Sequence, residues 1–307
     1  MKKRIIYLPL MGRIGNQLFQ YAYAYTLQKE YSDGVTVIID ESSVINAKWI
    51  NSLRDYDLPD VKYVPDMSED LKRSLKRSLF AFRIYRRLIV TGDARKQYKR
   101  ELKYHGVLNR LGLIAVLRGY CPHRLNKNEN LYMYGYFQSE RYFMKHKDEI
   151  RSIFNLTKEL QSSHYPGLEK IENRNTVCIS IKIEHNVGSE IYDVCNTEYY
   201  RKGIEYIEQH VNNPLYFLCS DNVEKAKELF FEGFDREIIC QPKGFNVSLS
   251  LCAMSKCKYF IINNTSFGWW AQYLSDYAEK IVVAPSRWKL NNDPENIYDN
   301  QENWHLI

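Results

Sequence analysis

A chain of 307 residues is too long for a single small core and fits two domains of about 100–200 residues each. Hydrophobic residues at 45% and charged residues at 26% are the ordinary balance of a soluble globular protein. The formal charge of +6 is uneven: residues 72–103 carry twelve Lys and Arg against Asp93 and Glu101, a net +10. No DNA- or RNA-binding signature accompanies that charge, so nucleic acid is not an expected partner.

The start, Met1-Lys-Lys-Arg followed by Ile5–Met11, has the look of a secretory leader. The apolar run is too short, contains Pro9, and enters Gly12-Arg13 without a small-residue cleavage site, so a first strand over Ile5–Leu10 is the better reading. No later stretch approaches the ~18 apolar residues of a membrane span. After the turn Met11–Gly15, Leu18, Phe19, Ala22, Tyr25 and Thr26 recur at helical spacing and predict a helix over Asn16–Tyr31. Val35–Asp40 is a β-branched run that predicts a second strand. Strand, glycine turn, helix and strand in that order open an α/β doubly wound domain.

The basic stretch at about 70–105 reads as a helical insertion carrying Leu75, Leu79, Phe80, Phe82, Ile84 and Leu88. It is either a solvated helix face with a buried side or an amphipathic surface for an anionic membrane. The polar segment Gln161–Thr176, with Pro166-Gly167, is the expected boundary between an N-terminal domain (1–165) and a C-terminal domain (175–307). Beyond it strands at Val177–Ile183, Leu215–Cys219, Glu237–Cys240, Tyr259–Ile262 and Ile281–Ala284 alternate with four predicted helices. Those helices are Glu198–Gln209, Val223–Phe231, Ser248–Ser255 and Ser266–Leu274. Such alternation makes a parallel sheet with active residues at the carboxyl ends of its strands. The seven cysteines include no C-x-x-C pair, which fits a reduced cytosol better than a disulfide framework. The 25 tyrosines can line a groove that stacks on sugar or base rings, although surface positions account for most of them.

Gly12-Arg-Ile-Gly-Asn-Gln17 sits between the first strand and first helix, where glycines permit a close backbone approach and the helix start offers free N–H groups to an anion. Spacing alone also fits a purely structural turn, because the G-x-G-x-x-G register is absent. Asp55-Tyr-Asp57 has the form of a D-x-D metal motif but lacks a flanking strand.

Six segments occur in one order along the chain: Gly12–Ala22 (GRIGNQLFQYA), Gly135–Phe143 (GYFQSERYF), Glu198–Ile207 (EYYRKGIEYI), Phe217–Asp221 (FLCSD), Asn263–Trp270 (NNTSFGWW) and Val283–Trp288 (VAPSRW). Together they resemble glycosyltransferase family 11, the α-1,2-fucosyltransferases. The resemblance spans residues 12–288 and is weakest over about 41–130. It implies a GT-B fold, two Rossmann-like doubly wound α/β domains facing a cleft. It also implies an inverting, metal-independent transfer without a cofactor, from a nucleotide-sugar donor, GDP-fucose first, to a galactose hydroxyl of an oligosaccharide acceptor. A lipid-linked glycan is one form of that acceptor. The setting it implies is bacterial surface-polysaccharide synthesis, cytoplasmic and peripheral to the inner membrane face, with the basic stretch Lys72–Lys103 as the contact.

Carried onto matching positions, the resemblance places Arg13 and Asn16 at the donor diphosphate from the N-terminal domain, with Thr265 and Ser266 holding it from the other. Phe267 would pack on the nucleoside and Asp221 would meet the base or ribose. Read from the residues alone, Thr265, Ser266 and Asp221 are equally helix caps and Phe267 is core. One motif departs. Where the family has His-x-Arg-x-Gly-Asp, this chain reads Lys182-Ile-Glu-His-Asn-Val187, with Lys182 at the His position and Glu184 at the arginine that pairs with the β-phosphate. Ser250 and Tyr259 also stand where the family has an acid and a His. A carboxylate beside a diphosphate is repelled by about a few kcal/mol at an effective dielectric of ~20. Three explanations stay open: Lys182 replaces the lost charge, the donor is a different nucleotide-sugar, or catalysis is lost. Glu184, His185 or Asp193 would otherwise serve as the base that takes the acceptor proton, and a salt bridge from Glu184 to Lys182 or Arg13 is the alternative.

Overall fold

The computed structural model describes residues 4–31, 34–123 and 130–307, so Met1–Lys3, the basic start of the leader-like segment, lies outside the described residues. The chain divides into two units, residues 1–155 with 293–300 and residues 156–292 with 301–307.

In the first unit, β1 (Arg4–Pro9), β2 (Val35–Asp40), β3 (Val61–Val64), β4 (Leu113–Val116) and β5 (Leu131–Gly135) form one sheet of order β3-β2-β1-β5-β4, every pair parallel. Parallel neighbours cannot be joined by tight turns, so each step is a crossover that covers a sheet face. The β1–β2 crossover is α1 (Ile14–Glu30), apolar almost all round and buried from Ile14 to Leu27 except at Asn16. Its tyrosines are core residues. Tyr23 packs on Phe137 and Tyr142, and Tyr21 on Phe154, at centroid distances of 4.4–6.0 Å. More than half of the 25 tyrosines are buried in this way, so surface placement does not account for most of them. A buried ring gains apolar area, and some of the hydroxyls reach a carboxylate or carbonyl, as Tyr7 does at Asp40 and Tyr21 at Pro59.

The basic stretch is the β3–β4 connection, not an insertion. It comprises Glu69–Ser74, α2 (Lys76–Ile84), a π-helical turn at Tyr85–Ile89 and α3 (Ala94–Arg110). Leu75, Ala81, Tyr85, Ile89 and Leu108 pack on Tyr7, Ile38, Leu113 and Tyr132 of the sheet. Alternation along β1 sends Tyr7 to this face and Ile6 and Leu8 to the other. Phe80 and Leu88 are left about 60% exposed, at 59% and 61%.

In the second unit, β6 (Thr176–Ile181), β7 (Leu215–Ser220), β8 (Ile238–Cys240), β9 (Tyr259–Ile261), β10 (Val282–Ala284) and β11 (Trp304–Leu306) form a parallel sheet of order β11-β10-β9-β6-β7-β8. Its crossovers include α4 (Thr197–His210), α5 (Val223–Phe230), α6 (Val247–Ser255) and α7 (Ser266–Tyr273). Val177, Ile179, Ile181 and Ile183 all face one core with Tyr199, Tyr200 and Ile207 of α4, so Cys178, Ser180 and Lys182 alternate to the other side.

The boundary lies at Asn155/Leu156, upstream of Gln161–Thr176. Residues 156–175 fold with the second unit because Tyr165 packs edge-on against Phe217 and Phe245 and Ile171 is fully buried. Nor is the second unit continuous to the C-terminus, since residues 293–300 return to the first. There Asp293 pairs with Arg118, Asn296 accepts from the Tyr120 amide at 2.6 Å, and Asp299 accepts from Ser139 Oγ at 2.7 Å. All seven cysteines are free thiols, five of them buried.

Gly135 closes β5 at φ +159°, where an added Cβ would lie 1.8 Å from the Val116 carbonyl oxygen of β4. Backbone cannot yield there, so Gly135→Ala should cost at least about 2–3 kcal/mol in thermal or denaturant unfolding. Gly188→Ala, at φ +77° with open space around it, should cost only about 1–2 kcal/mol.

Candidate active site

In an open parallel sheet, ligands bind outside the carboxyl ends of the strands, at the point where strand order reverses. The order puts that point between β1 and β5 in the first unit and between β6 and β9 in the second. Most of the residues singled out in the sequence fall at these two points.

In the first unit the chain leaves β1 through Met11–Arg13. Gly12 turns at φ +75°, and a Cβ there would meet Asn16 Nδ2 at 2.5 Å. Two buried glutamines of α1 hold the turn. Gln17 Nε2 donates to the Gly12 and Ile50 carbonyls at 2.9 and 2.8 Å, and its Oε1 accepts the Ser52 amide at 2.8 Å. Gln20 both accepts from the Met11 amide and donates to its carbonyl, at 3.0 and 2.6 Å. On the β5 side, Gln138 Nε2 donates to Asn16 Oδ1 at 2.7 Å. The turn is therefore fixed from within. Arg13, the helix N-cap residue, is exposed and its guanidinium has no ion pair among the described residues. A rigid turn with an uncommitted guanidinium suits a phosphate.

Gln17, Gln20 and Gln138 went unnoticed as site residues in the sequence, although two glutamines three apart inside an apolar helix are a signal of buried polar work.

In the second unit, Lys182–Asp193 follow β6 and Asn263–Phe267 follow β9. Asp221, one residue past β7, binds the first of these segments. Its carboxylate accepts from Lys182 Nζ at 2.5 Å, from the Ile183 amide at 2.8 Å and from the Glu184 amide at 3.1 Å. Burial alone would raise this carboxyl, but the Lys182 ammonium and the two amides outweigh it and hold it below the usual aspartate range. Asp221 is thus the clasp of the strand end, and Lys182 is committed to it. The helix that follows β7 is capped instead by Asn222, whose side chain accepts from the Lys225 amide at 3.1 Å.

Glu184 and His185 lie in the turn beyond this clasp. Both are exposed, and neither side chain makes a hydrogen bond or ion pair among the described residues. His185 adopts φ +68°, and Lys182 pairs with Asp221 rather than with Glu184. Asp193 braces the same loop by accepting the Gly188 amide at 2.8 Å.

Asn264 is the hub on the β9 side. Its amide donates to the Tyr192 and Trp288 carbonyls at 3.0 and 2.9 Å, and its oxygen accepts from Asn186 at 3.0 Å. Asn264 therefore ties the Lys182–Asp193 loop to the chain beyond β10, a role that nothing in its sequence context announced. Thr265 caps α7, its Oγ1 accepting from the Gly268 amide at 3.2 Å and donating to Asn263 Oδ1 at 2.8 Å. Gly268 lets α7 approach β6, since a Cβ there would fall 2.6 Å from Ser180 Oγ. Ser266 and Phe267 open the helix and are half-buried. Tyr199 and Tyr200 of α4 send their hydroxyls to the carbonyls of Ile262 and Ser180, at the ends of β9 and β6. Asp55-Tyr-Asp57 follows no strand: Asp55 ends a short 3₁₀ helix and the Asp57 amide donates to the Asn155 carbonyl.

Because the Asp221 carboxyl is depressed, its stabilising contribution is complete above the ordinary aspartate value of about 3.9 and is lost as pH falls through the folded value. Asp221→Asn should lower stability by about 1–3 kcal/mol at neutral pH. The difference from the unmutated chain should narrow only below about pH 4 in a denaturation series.

Compared with known proteins, the model of the family Glycosyl transferase family 11 matches residues 5–306. The chain is 28% identical over 305 residues to the O-antigen biosynthesis glycosyltransferase WbnK of Escherichia coli, covering 94% of this chain and 96% of that one. It is 32% identical over 179 residues to an alpha-1,2-colitosyltransferase of Escherichia coli, covering 56% and 61%. Among solved structures, the fucosyltransferase NodZ from Bradyrhizobium superposes with a TM-score of 0.53 at 14% identity, over 89% of this chain and 93% of that one. The fold is α/β and GT-B-like. With the motifs, the two switch points and a match from end to end in agreement, the chain belongs to glycosyltransferase family 11.

Proposed function

We propose that this protein transfers fucose from GDP-fucose to a galactose hydroxyl of a surface-polysaccharide glycan, forming an α-1,2 linkage with inversion and without a metal ion. The observation that carries the reading is the cluster at the β6–β9 switch point. There the first turn of α7, held by its Thr265 cap, faces the same sheet edge as the clasped Lys182–Glu184 strand end. Hydroxyls and amides at a helix start match the oxygens of a diphosphate leaving group. Thr265 holds that helix start in place, Ser266 adds its hydroxyl, Phe267 packs against the nucleoside, and Arg13 and Asn16 serve the diphosphate from the β1–α1 turn.

Glu184 is the base. Its carboxylate is exposed and unengaged among the described residues, whereas Asp221 and Asp193 are occupied in holding the loop. The acceptor hydroxyl oxygen attacks the anomeric carbon of the donor sugar. The bond from that carbon to the diphosphate breaks with its electron pair on GDP, and Glu184 takes the hydroxyl proton. His185, the neighbouring exposed group, is the second candidate for this proton. Lys182, neutralised by Asp221, keeps the strand end in place and does not replace the family's arginine charge.

Colitose in place of fucose is a second reading, favoured by the 32% identity to an alpha-1,2-colitosyltransferase. Incubation with a β-galactoside and either GDP-fucose or GDP-colitose separates the two by GDP release and product mass. Binding of GDP with turnover of neither donor would sink both readings and leave a silent nucleotide-binding protein.

Arg13→Ala should lower kcat/KM at least about 10²-fold by removing a charged donor to the leaving group. Glu184→Gln should lower kcat about 10²- to 10⁴-fold with donor affinity unchanged or improved. A normal rate in Glu184→Gln excludes it as the base.

A further inference from the structure

One cavity lies far in sequence from both switch points, in the first unit. It is a groove of about 570 Å³ between α3 on one side and the end of α2 with its π-helical turn on the other. Lys96, Lys99, Arg100, Lys103, Tyr104 and Val107 line its α3 wall. Their spacing of three and four residues makes them one continuous helical stripe. Ile84, Leu88 and Ile89 form the opposite wall, and no carboxylate lines the groove.

Glu101 does not neutralise the stripe. It points to the other side of α3, buried, where Tyr85 and Gln97 donate to its Oε1 at 2.6 and 2.9 Å. Arg100 donates to the Leu88 carbonyl at 2.8 Å and so fixes the two walls to each other. Lys96, Lys99 and Lys103 have no salt bridge among the described residues. The apolar rim is unusually open for such large side chains: Leu88 is 61% exposed, Val107 58% and Tyr104 43%.

Cations over an open apolar floor are complementary to a molecule that carries a phosphate at one end and hydrocarbon at the other. A nucleic acid would use the cations but leave Leu88, Ile84 and Val107 wet. A soluble phosphate would need no floor at all. We propose that this groove seats an anionic phospholipid of a bilayer surface. The headgroup phosphate lies against Lys96, Lys99 and Lys103, and the chain lies along Leu88 and Val107. The mode is interfacial, because among the described residues no helix is long and apolar enough to cross a membrane. The seat is independent of the donor sugar and of every residue assigned above to transfer.

The test is co-sedimentation of the full chain with vesicles of phosphatidylcholine alone and of phosphatidylcholine mixed equally with phosphatidylglycerol. Binding is expected only to the mixed vesicles. Each Lys→Gln change should lower partitioning about fivefold, so Lys99→Gln with Lys103→Gln should lower it about 25-fold. Leu88→Ser with Val107→Ser should also weaken binding about tenfold or more, at unchanged charge. Both pairs are surface changes, so unfolding midpoints and transfer to a soluble galactoside should stay as in the unmutated chain. Equal binding to neutral vesicles, or no binding to either, overturns the proposal. So does indifference to the Leu88 and Val107 changes, which would indicate a diffuse charge effect. Displacement from vesicles by inorganic phosphate or a short RNA at matching phosphate concentration would assign the stripe to that ligand instead.

Discussion

All strands in both sheets run parallel to their neighbours, and that single constraint determines where chemistry is possible. A parallel pair cannot be closed by a two-residue turn, so each strand hands the chain to a covering crossover. The segments leaving the strands therefore gather at one edge of each sheet, and where strand order reverses the two departing chains diverge and leave room for a ligand. Met11–Arg13 and Gln138 meet at one such point, and Lys182–Glu184 and Thr265–Phe267 at the other. The helices that make this edge also cover the faces, which is why α1 is apolar on nearly every side and carries its polar residues only to hold the turn.

The second sheet shows how a family motif can change without losing its frame. Asp221 accepts three hydrogen bonds from the strand end that carries the altered sequence, so the backbone of Lys182–Glu184 is fixed whatever side chains it bears. The ammonium gained at Lys182 is spent on that carboxylate, and a second positive charge is not left over for a diphosphate. Meanwhile the carboxylate gained at Glu184 stays exposed. At the same strand end an ammonium is therefore paired and a carboxylate is exposed to solvent.

Much of this was legible along the chain. The strands at Val35–Asp40, Leu215–Ser220 and Val282–Ala284 and the helices α4 to α7 fell within one or two residues of their expected ends, because runs of β-branched residues and helical periodicity are local properties. The strands β3 and β4, each of four residues, β5, of five, and β11, of three, escaped notice, since runs that short carry little periodic signal. The basic stretch looked like an insertion because its charge is conspicuous, whereas Leu75, Tyr85 and Leu108, which bind it to the sheet, are scattered over more than thirty residues. The boundary was misplaced for a related reason: Pro166-Gly167 signals a turn, but Tyr165 beside it is anchored on Phe217 and Phe245, contacts far away in sequence.

By itself the sequence determined the family, the alternation of strand and helix, and the residue types at both switch points, because these are written in order and spacing. Only the tertiary structure decided which of those residues are free to act. Asp221 and Lys182 are partners, Gln17 and Gln20 are braces, Asn264 is a hub, and Glu184 and Arg13 keep uncommitted charges among the described residues. The reason is physical: whether a polar side chain is engaged by its own fold depends on neighbours brought to about 3 Å by packing, and several of those neighbours stand 35 to 78 residues away.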